Sequence, residues 1–545
     1  MTPSPPVLRV KNLSVSFDAT EVVSQVSFTI EPGECLALVG ESGSGKSVSA
    51  RSLIGLAGTG SRVHAETLEL AGRDVKDLSQ RSWRKLRGKQ VGFILQDALT
   101  SLDPLRKIGK EIDDALRLHT RLSPGARAAK VIDLLTSVGL DDPVRRAGQL
   151  SGELSGGMRQ RALIASAIAL DPALVIADEP TTALDATIAA QVMELLAGLR
   201  ATGSGMLLIS HDLAAVAKVA DSIAVMQGGR IVETGPAEQI LGNPQHPYTR
   251  ALLAAVPAGK PRFTPLSPAT QPAEPMVSAR PTVSAAAEPV LRARSLSRSF
   301  QIPGAAGFHA VQNVDFTLFE GETLGMVGES GSGKTTTARM ALGLLEPDSG
   351  SVELFGEPWS QVPEAQRRTR RPGLGAIYQD PLSSFDPRMS VGALLADALS
   401  LGATRNPRQH RERITELLGL VGLETGLISR NPATLSGGQR QRLAIARALA
   451  PQPRVLICDE PVSALDVSIQ AQVLDLLDDL QQRLGLSYLF ITHDLSVVRH
   501  MSDEVLVMRG GQVVESGRTE SVFTDPQHSY TRLLLAAAPG IAAGH

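Results

Sequence analysis

Two eight-residue stretches, Gly40–Ser47 and Gly328–Thr335, fit the pattern GxxxxGK followed by a hydroxyl residue, and each follows a short apolar run. Glycines let backbone N–H groups converge on phosphate oxygens, the lysine adds positive charge, and the hydroxyl can bind the Mg²⁺ that bridges the phosphates. The first loop contributes Gly40, Ser42, Gly43, Gly45, Lys46 and Ser47; the second contributes Gly328, Ser330, Gly331, Gly333, Lys334 and Thr335. Asp178 and Asp459 each end another apolar run, and Glu179 and Glu460 follow them directly. An aspartate so placed can support the Mg²⁺ shell through water, and the next carboxylate can polarise an attacking water. The chemistry expected is hydrolysis of a nucleoside triphosphate, at two places in one chain.

These motifs sit in a duplicated frame. Val7–Phe17 returns as Val290–Phe300, QDALTSLDP at Gln96 as QDPLSSFDP at Gln379, LSGGMRQR at Leu154 as LSGGQRQR at Leu435, and ADEP at Ala177 as CDEP at Cys458. Order and spacing are kept throughout, which indicates two copies of one fold and not a solenoid. Short apolar runs such as Cys35–Val39, Leu174–Ala177 and Met206–Ile209 read as strands buried on both faces, hence a parallel core sheet. Ile188–Leu199 and Ile469–Leu480 have the length and spacing of helices packed on such a sheet. The fold class expected is α/β, twice over. Residues 258–288 are rich in Pro, Ala, Ser and Thr without hydrophobic periodicity, which suggests a linker between domains at 1–257 and 289–545.

Composition narrows the setting. In 545 residues, Lys and Arg total 54 against 56 acidic residues, so no general electrostatic attraction to nucleic acid or anionic lipid is expected. No apolar run approaches the roughly 20 residues of a spanning helix. The N-terminus MTPSPPVLRV has neither a basic flank nor an apolar core, so no secretory signal is expected. Cys35 and Cys458 lie far apart within apolar runs, as buried structural thiols do.

The octapeptides LSGGMRQR and LSGGQRQR, about two dozen residues before Asp178 and Asp459, resemble the signature motif of ATP-binding cassette proteins. That resemblance implies two tandem P-loop ATPase domains, each with a helical subdomain, and ATP shared head to tail between them as an internal pseudo-dimer. One site would then combine Gly40–Ser47, Gln96, Asp178, Glu179 and His211 with Ser436, Gly437 and Gly438. The other would combine Gly328–Thr335, Gln379, Asp459, Glu460 and His493 with Ser155, Gly156 and Gly157. His211 in SHD and His493 in THD match the family's switch histidine, which contacts the γ-phosphate. The same resemblance places Gln96 and Gln379 beside Mg²⁺, and stacks Phe17 and Phe300 on adenine, where core packing would equally suit a Phe. Because both halves keep the acid, the histidine and the signature serine, both sites are expected to hydrolyse ATP.

QDALTSLDP and QDPLSSFDP, with HPYTR at His246–Arg250 and HSYTR at His528–Arg532, resemble the subgroup that powers dipeptide and oligopeptide uptake. HPYTR itself reads as a helix start that docks a C-terminal extension. The resemblance implies two integral-membrane permease subunits, an extracytoplasmic substrate-binding protein, and a peripheral place on the cytoplasmic face of the membrane. Many relatives carry a cysteine cluster beyond this motif; here none follows, so no iron–sulfur cluster is expected. Glutathione, nickel or opines are alternative cargoes. A soluble tandem ATPase acting on ribosomes or DNA is the rival reading, and an ATP-binding scaffold without turnover a third.

Overall fold

The computed structural model describes residues 5–96, 101–182, 184–201, 203–267, 288–301 and 307–537. Most of the segment read as a linker, and residues 97–100 after Gln96, lie outside the described residues. The chain forms two compact units, Met1–Leu184 with Ile188–Leu253, and Ala254–His545 with Asp185–Thr187.

Each unit has an antiparallel sheet and a mainly parallel one. In the first, strand Leu8–Phe17 pairs with Thr20–Ile30 on one side and with Ser61–His64 and Thr67–Leu70 on the other, all antiparallel. Along it Leu8 and Val10, then Leu13 and Val15, are buried while Arg9 and Lys11 are exposed, the period-two pattern of a half-buried strand. The phase shifts at Asn12, whose φ of 51° marks the bulge between the two buried pairs. Ser295 repeats that bulge in the second unit's strand Pro289–Phe300, at φ 48°.

The core sheet of the first unit runs Arg230–Pro236, Ser222–Gln227, Cys35–Val39, Gly205–Ile209, Leu174–Asp178, Val91–Ile94 in spatial order. Only the first two strands pair antiparallel. Every residue of Cys35–Val39, Leu174–Asp178 and Gly205–Ile209 is buried, as strands covered on both faces require. The second unit repeats the order with Gln512–Arg518, Glu504–Arg509, Thr323–Gly328, Ser487–Ile491, Val455–Asp459, Leu374–Ile377. Helices Ala186–Ala201 and Val467–Leu484 contain the two helices expected from sequence. In each unit a group of helices, Ile108–His119 to Gly156–Ala167 and Val391–Leu399 to Gly437–Leu449, lies between two of the parallel strands in sequence. Cys35 and Cys458 are buried free thiols; burial pushes Cys35 up to about 12 and Cys458 higher still.

Residues 258–267, read from sequence as the start of the linker, are packed against the second unit: Leu266 is 1% exposed and shares its core with Tyr488 and Phe490.

Candidate active site

The loop 40–47 joins a central strand to helix Lys46–Ser52. Gly40 has φ 148°, and a Cβ there would collide with the carbonyl oxygen of Met226 on the neighbouring strand. Gly328 has φ 153° and meets the Met508 carbonyl in the same way, so the chain turns where a side chain has no room. Gly45 and Gly333, at φ 97° and 101°, cap the two helices in the left-handed region. Ser42, Gly43, Ser330 and Gly331 form the exposed crest of each loop.

The two lysines fold back beneath these loops. Lys46 Nζ donates to the carbonyls of Gly40 and Glu41, both at 2.8 Å, and Lys334 Nζ to those of Gly328 at 2.7 Å and Glu329 at 2.9 Å. Burial pushes the Lys334 ammonium down, opposed by the charges of Glu460 and Asp459. Ser47 Oγ donates to Asp178 Oδ1 at 2.8 Å, and Thr335 Oγ1 to Asp459 Oδ1 at 3.3 Å. Both aspartates sit at strand ends, where burial raises their pKa. Asp178 Oδ2 accepts no hydrogen bond, and its nearest cation is Arg51 at 3.9 Å. A buried carboxylate oxygen left open beside a hydroxyl is a hard-oxygen donor set that fits Mg²⁺.

Glu179 leaves the strand at φ 49° with its N–H donated to Ile209 O at 2.9 Å; Glu460 does so at φ 51°, donating to Ile491 O at 2.9 Å. The left-handed turn reverses the side chain toward the loop, at a cost of about 1–2 kcal/mol. Gln96 Nε2 donates to Glu179 Oε2 at 2.8 Å, and Gln379 Nε2 to Glu460 Oε2 at 2.9 Å. His211 Nδ1 lies 3.4 Å from Glu179 Oε2, and His493 Nδ1 3.2 Å from Glu460 Oε1. The hydrogen bond to Glu179 raises His211 against the pull of burial; burial is the largest influence on Glu179 and would raise it, but His211 together with Thr182 and Lys46 outweighs it and leaves the carboxylate below its usual range. Glu460 and His493 move in the same directions: burial is the largest single influence at each, and the bond between them together with the surrounding charges outweighs it.

In each unit the structure therefore brings together the lysine, hydroxyl, acid pair, glutamine and histidine that the sequence singled out. Ser155 and Ser436 are exposed N-caps, accepting from Met158 N–H at 3.4 Å and Gln439 N–H at 3.3 Å. Gly157 and Gly438 lie under helices: a Cβ would come within 2.6 Å of Ile188 Cγ2 and 2.7 Å of Ile469 Cγ2. Gly156 and Gly437 remain exposed. Phe17 and Phe300 each end a strand; Phe17 is half-buried against the core, and Phe300, 39% exposed, has the Arg298 guanidinium 5.4 Å from its ring.

Sequence reasoning missed three supports. Tyr248 of HPYTR and Tyr530 of HSYTR accept hydrogen bonds from Glu41 and Glu329 N–H in the phosphate loops, at 3.1 and 3.2 Å. Asp212 and Asp494, the last residues of SHD and THD, cap the helices that follow, which fixes the backbone beside each histidine. Thr182 Oγ1 donates to Glu179 Oε2 at 3.0 Å. The repetition of SHD and THD was a usable signal for the caps; nothing in the sequence links a tyrosine to a loop some two hundred residues away.

A phosphate loop following a central strand, with an acid pair at the end of the next strand but one in the same sheet, defines a P-loop nucleotide hydrolase. The chain matches the ABC transporter family model at residues 23–182 and 311–463, and belongs to that family as a tandem-cassette protein that hydrolyses ATP. The model for the oligopeptide/dipeptide transporter C-terminal region matches residues 232–281 and 514–545. Among curated relatives, the oligopeptide transport ATP-binding protein OppD of Mycobacterium bovis is 40% identical, with 98% of each chain covered. The peptidoglycan transport ATP-binding protein YejF of Agrobacterium fabrum is 43% identical, over 99% of this chain and 98% of that one. The glutathione import ATP-binding protein GsiA of Pectobacterium atrosepticum is also 43% identical, over 99% and 90%. A chain in the solved complex of an archaeal ribosomal stalk protein with a ribosome recycling factor aligns over 91% of this chain and 88% of its own, with a TM-score of 0.59. At 21% identity that likeness is one of fold alone.

Proposed function

We propose that this chain powers a membrane importer of dipeptides or oligopeptides, working with two permease subunits and an extracytoplasmic binding protein at the cytoplasmic face of the membrane. The observation that carries this reading is the Tyr248 and Tyr530 contact. In each half a residue of the segment matching the oligopeptide/dipeptide transporter region is hydrogen-bonded to the loop that would hold ATP. The names of the relatives add support, since oligopeptides, peptidoglycan fragments and glutathione share peptide bonds. Glutathione is the alternative cargo. No helix among the described residues is long and apolar enough to cross a membrane, so passage of a solute needs partner subunits.

Each site works by placement. Lys46 and Lys334 leave their carbonyl partners to hold the β and γ phosphates, and the loop N–H groups orient them. Ser47 with Asp178, and Thr335 with Asp459, would hold Mg²⁺, joined by Gln96 and Gln379; when bound, the ion neutralises phosphate charge. Glu179 and Glu460, kept ionised by their histidines, accept hydrogen bonds from the attacking water. His211 and His493 then face the γ-phosphate. Ser155–Gly157 and Ser436–Gly438 each complete the site of the opposite cassette, so that ATP draws the cassettes together and hydrolysis releases them. Phe17 and Phe300 stack on adenine.

The test is affinity extraction of the chain from its native membrane in mild detergent, with identification of copurifying proteins and an ATPase assay on the same sample. Two permease chains and a solute-binding protein are expected. Ribosomes or DNA-repair proteins without permeases would overturn the reading.

A further inference from the structure

The two cassettes differ at one corner, where the central strand begins. In the first, the last turn of helix Ala186–Ala201 provides Arg200, whose guanidinium donates to Asp221 Oδ1 at 2.6 Å while Asp221 also accepts from Cys35 N–H at 2.8 Å. The corresponding aspartate of the second, Asp503, accepts from Thr323 N–H at 2.9 Å in the same way. The residue aligned with Arg200, however, is Gln481. A guanidinium is still present, and it comes from outside the cassette: Arg262 is paired with Asp503 and donates to Gln481 Oε1 at 2.6 Å and Thr323 Oγ1 at 2.9 Å.

Arg262 belongs to a stretch held along its length. Leu266 N–H and Ser267 N–H donate to the two oxygens of Asp475 at 2.8 and 2.9 Å, and Ser267 Oγ donates to the same carboxylate at 2.8 Å. Ala255 and Leu266 are buried in the second unit's core. The Lys260 carbonyl lies 3.4 Å from Nδ1 of the fully buried His500. Asp475 is buried beneath the stretch, whereas the aligned Glu194 of the first cassette is exposed. The dock is thus particular to the second cassette, as expected of a surface shaped for one occupant. A buried acidic patch without its guanidinium would carry a large desolvation cost.

We propose that residues 254–267 are a latch: a segment that leaves the first cassette, completes the second with Arg262, and joins the two halves whether or not nucleotide is bound. It serves the second cassette as an intramolecular ligand, with a specificity a passive tether lacks.

The full-length chain with a protease site inserted between Pro268 and Ala287 tests this, cut without nucleotide in EDTA and run on a sizing column. The cut halves of the otherwise unchanged chain should elute together, and Arg262→Ala should weaken their association at least about tenfold, as loss of charged hydrogen bonds implies. Replacing residues 262–267 with Gly and Ser should separate them. A second variant guards against simple misfolding: Arg262→Ala with Gln481→Arg restores an Arg200-like pair, and should recover the melting temperature of the second cassette while the association of the halves stays as weak as in Arg262→Ala. Separation of the unchanged halves on cutting, or continued association of the Gly–Ser variant, would overturn the latch.

Discussion

The phenolic oxygen of Tyr248 accepts a hydrogen bond from the N–H of Glu41, 207 residues earlier, and Tyr530 repeats this with Glu329. Each glutamate is the second residue of its phosphate loop, so the C-terminal segment of a cassette is hydrogen-bonded to that loop. Tyr248→Phe and Tyr530→Phe together should lose about 1 kcal/mol per site, roughly a fivefold weaker ATP dissociation constant, with turnover at saturation nearly unchanged. Titration with a fluorescent ATP analogue checks this, and unaltered affinity would remove the tyrosines from the account.

The proposed Mg²⁺ role of Asp178 implies that it favours the bound state at the expense of the empty one. Its carboxylate is buried, burial raises its pKa, and one oxygen lacks a hydrogen bond. Asp178→Asn removes the charge but keeps an acceptor for Ser47. The nucleotide-free chain in EDTA should melt higher than wild type, and the further rise on adding Mg-ATP should shrink. A lower melting point in EDTA would contradict this.

The glutamate–histidine pairs set a pH dependence. His211 and His493 are raised, so their contribution to stability is full below about pH 6.5 and is lost as pH rises through the folded value. Glu179 and Glu460 are lowered, so theirs is present above about pH 4.5 and is lost as pH falls through the folded value. The pairs therefore contribute most between these limits. The melting-temperature gap between wild type and a His211→Gln, His493→Gln variant should narrow from about pH 6 to about pH 8.5. A gap that widens would contradict the pairing.

Gly157 and Gly438 sit where a methyl group meets the Cγ2 of Ile188 or Ile469. Alanine at either should destabilise its cassette by about 1–3 kcal/mol. Gly152→Ala, with nothing within 4 Å of the new carbon, should stay within about 0.5 kcal/mol. Thermal unfolding distinguishes the two classes.

What was legible in the sequence follows from short-range physics. Cys35–Val39 is wholly apolar because both its faces are covered, and Gly40 takes a φ of 148° that favours glycine, so strand and loop announce themselves locally. Ser155 and Ser436 were readable from the motif, and their capping role is a local hydrogen bond. Long-range partnerships left no pattern. The stretch 258–267 looked like linker because it is held by one arginine, one leucine, one serine hydroxyl and backbone groups, none of which produces periodicity. Tyr248 looked like a helix start, and it is one, but its hydroxyl serves the phosphate loop.

The most direct test of the central claim, two complete hydrolytic sites in one chain, is steady-state phosphate release by wild type, Glu179→Gln and Glu460→Gln. Each substitution keeps the shape of the site and removes the carboxylate proposed to activate water, and should lower the rate at least about a hundredfold if, as proposed, the two sites turn over together. Rates that survive in both variants would show that neither glutamate activates the water.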